Sequence, residues 1–332
     1  MERLMLSEDQ KAPLHRAAAA IGTTSPYEDF ETFLADAYQV VAALPRPVVR
    51  KLIEFGTDPR SYGMLMLGNL PIDDPLPATP LDGRPSKEKD TFVSEACILA
   101  VTLLLGQPFG YRDEKCGNII QVLAPVRTEA QASSSESSAV DLGFHTDFNF
   151  DKRHPDRPYN LLNPDYIALL CLRGDPHREA YTRYADARDI CRRLGPRQLE
   201  VMRDRRYQFA ASYSFTGGCS DERIWSVPSP LLSGPDAYPE LSVDLLCGVR
   251  GLDVEATAGL DALRETCAQP GVSTEVCLQT GDLLIIDNRK GAHARDSFRA
   301  YYDGLDRWLH RVYVRRSLAE LRDGVNDHLR VF

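Results

Sequence analysis

The sequence lacks any apolar run of about 18 residues, the length that a membrane-spanning helix needs, so no such helix is expected. Its start lacks a basic stretch followed by a long apolar core, and we therefore expect no secretory signal. Positive charge is also scarce, because 39 lysines and arginines face 48 aspartates and glutamates, which gives a formal net charge of −9. We therefore expect neither nucleic acid nor an anionic membrane as a partner, since both attract proteins through positive charge.

Eight cysteines are scattered singly, and no two of them form a C-x-x-C pair. This spacing is typical of free thiols in a reducing compartment, so we expect a cytoplasmic protein without a disulfide framework. The 332 residues are 43% hydrophobic and 26% charged, which argues against bulk disorder and allows a substantial core. The length fits one large domain or two modest ones, and it leaves the oligomeric state open.

The predicted elements run as helices first and many short strands afterwards. Helices are predicted from the N-cap Ser7, over 25–44, over 88–106 and over 181–194. Strands are predicted within 62–72, 118–126, 140–150, 165–175, 206–212, 276–288 and 307–317. This order favours a mainly β core with flanking helices. We divide it into an N-terminal helical segment, 1–60, packed on a single core domain, 61–332.

The central motif is His145-Thr146-Asp147, within the run "DLGFHTDFNF" (141–150) that otherwise alternates apolar and polar residues. Side chains two positions apart on a strand point to the same face, so this imidazole and this carboxylate would converge on one point. They could hold a divalent metal, or they could form a simple His–Asp hydrogen bond at the end of a strand. The motif alone leaves both interpretations open.

A second segment, 280–298, favours the metal. It contains a turn, the apolar strand 283–286 and then His293. Two histidines and one carboxylate on a rigid sheet form the facial triad of non-haem Fe(II) oxygenases, which leaves coordination positions open for substrate and oxygen.

The strand that follows supplies positive charge. By period-two alternation, Arg307 and Arg311 share one face of this strand, whereas His310 points to the other face and is assigned a structural role. Two arginines aimed at a metal site require anions, and a dicarboxylate bound to the metal would pair with them. The alternative is an ordinary surface ion pair with Asp303 or Asp306.

The spacing of His145-x-Asp147, His293 and Arg307 resembles that of the Fe(II)/2-oxoglutarate oxygenases. Within them the sequence is similar to the clavaminate synthase group, which includes hydroxylases of free arginine, lysine and asparagine. The likeness is most specific over 140–183 and 277–316. It implies a core with the fold of a double-stranded β-helix, or jelly roll.

The resemblance also implies roles for single residues. The implied iron ligands are His145, Asp147 and His293. Arg307 and Thr182 would bind the distal carboxylate of 2-oxoglutarate, and Arg311 would lie near the carboxylate that chelates the metal. Asp147 stands where many members of the group have glutamate. An intact carboxylate at this position argues against a halogenase, since halogenating relatives replace it to admit chloride.

The activity that the resemblance implies is hydroxylation of an unactivated C–H bond in a free amino acid such as arginine or lysine, or in a derivative, within specialised metabolism. Fe(II) would be the cofactor and 2-oxoglutarate and O2 the co-substrates, with succinate and CO2 as products. Desaturation or ring closure on a related or carrier-bound substrate is an alternative within the same cofactor class.

The candidate substrate-binding residues are Gln121, Ser135 and Asp253. Gln121 lies on a strand expected to border the site, Ser135 lies in the loop before the metal motif, and Asp253 could face a cationic substrate side chain. Each of them could instead be an ordinary structural residue. The serine-rich segment 127–139 and the Gly/Pro-rich segment 214–240 are predicted to be lids that shield the site from water.

Two other classes of function compete with the oxygenase. A metal-dependent hydrolase could use a His/Asp/His site, but it would not need the two arginines on the neighbouring strand. A catalytically silent binding module of the jelly-roll type would need neither the complete ligand set nor Arg307.

Overall fold

The computed structural model describes residues 1–21, 24–132, 134–149, 163–211, 224–246, 248–319 and 330–332. The helices within these ranges are α1 (Glu8–Ala20), α2 (Phe30–Val41), α3 (Arg46–Thr57), α4 (Val93–Thr102), α5 (Ala187–Cys191), α6 (Pro196–Arg203) and α7 (Val254–Ala268). Two short 3-10 helices cover Lys115–Gly117 and Arg127–Glu129.

The strands of the described residues are β1 (Glu2–Met5), β2 (Met64–Gly68), β3 (Gln107–Phe109), β4 (Ile120–Leu123), β5 (Leu142–His145), β6 (Tyr166–Arg173), β7 (Tyr181–Asp186), β8 (Tyr207–Phe209), β9 (Leu232–Ser233), β10 (Glu240–Leu241), β11 (Val249–Gly251), β12 (Ser273–Cys277), β13 (Leu283–Asp287), β14 (Gly291–Arg295) and β15 (Trp308–Arg315).

Most of these strands form two sheets. The larger sheet has seven strands in the order β1-β2-β13-β6-β15-β3, with β4 also paired to β15. The smaller sheet has the order β12-β7-β14-β5. Apart from the parallel pair β1–β2, the pairings in both sheets are antiparallel. The short strands form two further pairs, β8 with β11 and β9 with β10.

The two sheets face each other, because one apolar cluster takes side chains from both of them. Ile167 and Leu309 enter this cluster from the larger sheet, and Tyr184 enters it from the smaller sheet. Burial of such side chains contributes about 25 cal/mol for each Å² of apolar surface removed from water. The space between the sheets is therefore the interior toward which alternate residues of both sheets point.

Helices cover the outer faces of the two sheets. On the larger sheet, α1 to α4 bury apolar side chains against Tyr166, Trp308, Val312 and Val314 in a second cluster. α4 is buried along its whole length, which explains why its sequence is apolar on every side. On the smaller sheet, α5 to α7 pack in a third cluster that includes Ala185 and Ala292.

The structure confirms several sequence predictions and corrects others. Ser7 is the N-cap of α1 as predicted. α2 begins at Phe30 rather than at 25, because the Asp29 side chain accepts a hydrogen bond from the Thr32 backbone and caps the helix there. Over 181–194 the predicted helix is wrong for the first six residues, which form β7.

Tertiary pairing explains the error over β7, since this strand is hydrogen-bonded on both sides, to β12 and to β14. Such pairing overrides local helix propensity. The segment 1–60 was predicted to be helical, yet it also contributes β1 to the larger sheet. The division into 1–60 and 61–332 stays a prediction. Within the described ranges, no helix has both the length and the apolar character needed to cross a membrane.

A buried ionic cluster joins the larger sheet to α4. Glu95 lies within 3.3 Å of His310 Nε2, accepts a hydrogen bond from Tyr27 at 3.1 Å and contacts Lys89, which pairs with Asp73 at 2.8 Å. Burial by itself would raise the pKa of Glu95. The neighbouring Lys89 and His310 outweigh burial, so the pKa of Glu95 is lowered to about 2. His310 thus faces α4, which confirms its predicted orientation and its structural setting.

We expect Glu95→Gln to lower the free energy of unfolding by about 3–5 kcal/mol at pH 7, because it removes one of the two carboxylates that pair with the buried Lys89. A depressed carboxylate pKa adds stability above the unfolded value near 4.5, and this stability is lost as the pH falls through about 2. The difference between wild type and variant should therefore shrink below pH 4.5. Urea unfolding at several pH values measures it.

The matched control is Glu200→Gln, which removes an exposed ion pair with Arg197 and should change stability little. An equal loss of stability in both variants, or a difference that does not depend on pH, would contradict the assigned role of Glu95.

Candidate metal centre and co-substrate site

Two neighbouring strands bring the two predicted histidines together. β5 and β14 pair antiparallel, and their register places His145 directly opposite His293. The two imidazole rings lie 4.3 Å apart, centroid to centroid. β5 ends at His145, so Asp147 lies in the turn that follows rather than on the strand itself. The structure therefore joins two segments that are separated by almost 150 positions in the sequence.

The side chains of His145, Asp147 and His293 converge on one point. Each offers one ligand atom, and these atoms all lie within 4.8 Å of one another. Nε2 of His145 lies 3.4 Å from Oδ1 of Asp147, and Nε2 of His293 lies 3.9 Å from the same oxygen. Within the described part of the chain, no other group of three histidine, cysteine or acidic side chains has such spacing.

The protonation states of His293 and Asp147 suit a metal. Nδ1 of His145 faces the Gly143 carbonyl at 2.7 Å and donates to it in the tautomer that leaves Nε2 free for a metal. Burial lowers the pKa of His293 to about 3, helped by the neighbouring His145, so this imidazole is neutral. Burial acts to raise the pKa of Asp147, but the hydrogen bond from His145 and nearby positive charge lower it overall. His293 is thus held neutral and Asp147 ionised, the forms in which they bind metal.

Burial by itself would lower the pKa of His145. The hydrogen bond and the charge of Asp147 outweigh burial, so the pKa of His145 is raised overall. In the absence of a metal, the positive charge that His145 can take is therefore stabilised by Asp147. Buried Nδ1 of His293 has no hydrogen-bond partner among the described residues. Two imidazole nitrogens and one carboxylate oxygen form a ligand set that fits Fe(II) and leaves its other coordination positions open.

Arg307 lies just before β15 and is buried, with only 7% of its surface exposed. Its guanidinium stacks over Phe298 at 5.8 Å, and it has no ion pair or hydrogen bond with any residue that the structure describes. Burial lowers the pKa of Arg307, although the nearby Cys171 and Asp175 oppose this effect. A buried guanidinium without a counter-ion is costly, and an anionic ligand would relieve that cost.

Arg295 lies close enough to Arg307 to be affected by its charge, and Thr182 is the neighbour of Arg295 on the next strand. They are cross-strand partners on β7 and β14, and alternation places both on the same face as His293. Burial and the neighbouring Arg307 lower the pKa of Arg295 to about 9. Two of its nitrogens donate to Ser137, one to the backbone carbonyl at 2.7 Å and one to the hydroxyl at 2.8 Å. The serine-rich segment predicted to be a lid is thus fastened to β14.

Arg311 extends toward the metal ligands from the middle of β15. Its Nε donates to Oε1 of Gln121 at 2.7 Å, and its Nη2 donates to Oε1 of Glu114 at 2.6 Å. Burial opposes the charge of Arg311, but Glu114 and Asp147 outweigh burial and raise its pKa. Gln121 also donates to Glu114 at 3.1 Å. The three side chains form a connected polar array beside the metal ligands.

The other two predicted substrate residues have different outcomes. Ser135 is half-buried in the loop before the metal motif, as expected. Asp253 needs a correction, because the structure makes it the N-cap of α7. Both of its carboxylate oxygens accept hydrogen bonds from Arg206 at 2.7 Å, and its side chain is 40% exposed. The Asp253 carboxylate, which was predicted to bind a cationic substrate, is therefore already paired with Arg206. Of the predicted lid 214–240, residues 214–223 lie outside the described part of the chain.

Sequence reasoning missed Glu114 and Arg295. Glu114 lies in a loop 197 positions from its partner Arg311, so no spacing rule connects the two residues. Arg295 follows His293 by two positions on β14, a strand that the sequence analysis did not predict. Period-two alternation places Arg295 on the face of His293 once β14 is known, whereas Glu114 required the contacts of the whole fold.

We expect His293→Gln to abolish stable Fe(II) binding, because only two of the three ligands, His145 and Asp147, then remain. Anaerobic titration of the metal-free protein with Fe(II) measures this directly. The surface variant His177→Gln, with an exposed imidazole, serves as the control and should bind Fe(II) as wild type does. Unchanged affinity in His293→Gln, with the fold intact by circular dichroism, would show that the metal is held elsewhere.

Comparison with known proteins agrees with this geometry. The model of the family described as taurine catabolism dioxygenase TauD, TfdA family matches residues 93–313, more than half of the chain. Clavaminate synthase 2 of Streptomyces clavuligerus is 32% identical over 292 residues, which cover 87% of this chain and 85% of that protein. L-lysine 3-hydroxylase of Catenulispora acidiphila is 29% identical over 320 residues, which cover 94% of this chain and 83% of that protein.

A solved structure of a related enzyme shows that the likeness extends to the fold. Asparagine oxygenase in complex with Fe(II), 2S,3S-3-hydroxyasparagine and succinate superposes with a TM-score of 0.87 at 27% identity, and the match covers 100% of this chain and 99% of that chain. The resemblance inferred from the motifs is thereby confirmed. The chain belongs to the TauD, TfdA dioxygenase family, within the clavaminate synthase-like group of Fe(II)/2-oxoglutarate oxygenases.

Proposed function

We propose that this chain is an Fe(II)/2-oxoglutarate-dependent hydroxylase of a free amino acid or a close derivative. The observation that carries the proposal is the convergence of His145, Asp147 and His293, together with a buried Arg307 that forms no ion pair with any residue the structure describes. The printed activities of relatives support the amino-acid substrate, since they include an L-lysine 3-hydroxylase and an L-asparagine oxygenase.

In this proposal His145 and His293 would hold iron through Nε2, and Asp147 would hold it through a carboxylate oxygen. Bound iron would supply the activation of O2, in which 2-oxoglutarate is oxidised to succinate and CO2 and the second oxygen atom of O2 enters the product as a hydroxyl group. The protein supplies binding, orientation and electrostatics. The side chains of His145, Asp147 and His293 are only 23%, 13% and 12% exposed, so the protein shields much of the site from water.

Arg307 is proposed to bind the distal carboxylate of 2-oxoglutarate. The guanidinium is preorganised, because it is buried and rests on the ring of Phe298. Since no described residue pairs with it, a bound carboxylate gains a charge-assisted, bidentate partner without breaking an existing ion pair. Thr182 is proposed to donate its hydroxyl to the same carboxylate. This arrangement favours an oxygenase over a hydrolase, which has no use for a second anion site.

The array of Arg311, Gln121 and Glu114 is proposed to bind charged groups of the substrate and of 2-oxoglutarate beside the metal ligands. A guanidinium and a carboxylate side by side offer complementary charges to a carboxylate and an ammonium group, the two charges of an α-amino acid. Arg311 also lies near Asp147, so a carboxylate chelating the metal would be within its field, as the resemblance implies. Ser135 is kept as a proposed substrate contact from the neighbouring loop.

We also infer that the two facing sheets form the double-stranded β-helix, or jelly roll, of this family. Support comes from their antiparallel pairing, from the single apolar cluster between them and from the likeness to the asparagine oxygenase structure. The segment 127–139 is proposed to close one side of the site, because Ser137 is fastened to Arg295. A cytoplasmic location stays a prediction.

The substrate claim is tested by measuring succinate release with each of the twenty standard amino acids, in the presence of Fe(II), 2-oxoglutarate and O2. We expect at least one amino acid to stimulate release well above the uncoupled background and to gain 16 mass units. Stimulation by none of them, in a protein that does bind Fe(II) and 2-oxoglutarate, would contradict the free-amino-acid substrate while leaving the cofactor class intact.

The role of Arg307 is tested by Arg307→Ala under anaerobic conditions. The weak visible charge-transfer band of an Fe(II)–2-oxoglutarate complex reports co-substrate binding. We expect the 2-oxoglutarate concentration for half-saturation to rise about 30-fold or more, because a buried charge loses a partner worth about 2 kcal/mol or more. Fe(II) affinity should stay within about twofold of wild type.

Arg183→Ala is the matched control, since Arg183 lies on β7 in a half-exposed ion pair with Asp296 at 2.8 Å. It should leave the half-saturating concentration unchanged. Equal losses of Fe(II) and 2-oxoglutarate binding in Arg307→Ala would contradict a role confined to the co-substrate.

A further inference from the structure

We propose that Asn288 is a positioning residue for the metal centre, because its carboxamide holds the backbone of Asp147. Asn288 directly follows β13 and is completely buried. Its Oδ1 accepts a hydrogen bond from the Asp147 N–H at 2.9 Å, and its Nδ2 donates to the Asp147 carbonyl at 3.1 Å. The Asn288 side chain thus hydrogen-bonds both the backbone N–H and the backbone carbonyl of Asp147, which lies 141 positions earlier in the sequence. This inference rests on the proposed iron site.

Asn288 is itself anchored to the larger sheet. Its backbone N–H donates to the Asp165 carbonyl at 2.9 Å, immediately before β6. Its Nδ2 also donates to the Pro164 carbonyl at 3.1 Å and contacts Asn163. The clamp on Asp147 is therefore part of a buried polar network at the end of β13 and the start of β6, where movement is restricted.

The clamp links the two sheets at the metal. His145 and His293 are both on the smaller sheet, where strand pairing fixes their separation. Asp147 has left β5 and is not held by that pairing. Through Asn288 it is tied to the larger sheet instead. We therefore expect this carboxamide from the opposite sheet, together with the contacts of Thr146 and Asn149 on either side, to set the position of the carboxylate relative to the two imidazoles.

The backbone next to Asp147 explains why a clamp is needed. Phe148 adopts a φ of +57°, in the left-handed region that bulky side chains rarely occupy. Such a conformation persists only when its surroundings hold it. The flanks are held by Thr146 and Asn149, whose side chains hydrogen-bond each other at 2.5 Å. Asn288 holds the peptide groups of Asp147 itself, at the carboxylate ligand.

A carboxamide suits this task because it presents one acceptor and one donor in a single plane. Replacement of Asn288 by aspartate keeps the acceptor, loses the donor and sets a negative charge against the Asp147 carbonyl. Replacement by serine removes the two-point grip and leaves a small hydroxyl. Both changes free the Asp147 peptide while leaving the three metal ligands in the sequence.

The experiment compares Fe(II) affinity, by anaerobic titration, in wild type, Asn288→Asp and Asn288→Ser. Loss of a residue that orients a ligand typically weakens metal binding about 10- to 100-fold, and we expect both variants in that range. The charge-transfer band formed with 2-oxoglutarate should also shift, since the carboxylate ligand is displaced. A role limited to general stability would leave the position of that band unchanged in the folded fraction.

Asn69→Asp is the matched control. The Asn69 carboxamide also joins distant segments, because its Nδ2 donates to the Leu6 carbonyl at 3.0 Å and its Oδ1 accepts from Lys11 at 2.9 Å. We expect this variant to lose thermal stability and to keep Fe(II) affinity within about twofold of wild type. Fe(II) affinity in the Asn288 variants no weaker than in this control would overturn the proposal.

A measurement on the wild-type protein covers the case in which neither Asn288 variant folds. The amide hydrogen of Asp147 should exchange slowly with solvent in the metal-free protein, because Asn288 accepts it. Exchange as fast as in an open loop would overturn the clamp. Failure of wild type to bind Fe(II) at all would overturn the proposed function, whereas wild-type affinity in folded Asn288 variants would overturn this inference alone.

Discussion

The antiparallel pairing of β5 with β14 is the constraint on which the site depends. It sets His145 opposite His293, since backbone hydrogen bonds determine which residues face each other across two strands. A shift of one residue in this register would turn one imidazole to the other face of the sheet. The carboxylate ligand is added from the turn after β5, and a carboxamide from the opposite sheet holds it there. The site is thus assembled where the ends of the two sheets meet.

β15 serves both stability and chemistry because its two faces differ. One face carries Trp308, Val312 and His310 against α4, where a buried ionic cluster stabilises the packing of the helix. The other face carries Arg311 toward the metal ligands, and Arg307 precedes it at the same side. The same alternation that builds the core therefore delivers positive charge to the interior. A buried arginine with no ion pair among the described residues is costly for folding, and Arg307 lies where an anionic co-substrate is proposed to bind and offset that cost.

Much of this arrangement could be predicted from short-range periodicity. Alternation along β15 is a local rule that any strand obeys, and it separated Arg311 from His310 correctly. The same rule predicted His145 and Asp147 on one face of a strand, but β5 ends at His145, and the carboxylate reaches the cluster from the turn that follows. The helix predicted over 181–194 was wrong at its start because pairing with two neighbouring strands outweighs local preference there.

Residues whose role depends on contacts between distant segments could not be predicted in this way. Glu114 meets Arg311, and Asn288 meets Asp147, across 197 and 141 positions respectively. No pattern in the sequence connects such pairs. Asp253 shows the opposite error, since an acidic residue that looked available for a substrate is used to cap a helix. Charge type alone does not reveal whether a partner is already present in the fold.

The most direct test is a crystal structure of the protein from crystals grown anaerobically with Fe(II) and 2-oxoglutarate. We expect iron bound by Nε2 of His145, Nε2 of His293 and the carboxylate of Asp147, with the distal carboxylate of 2-oxoglutarate against the Arg307 guanidinium. Iron held by other residues, or 2-oxoglutarate bound with Arg307 left unpaired, would contradict this expectation.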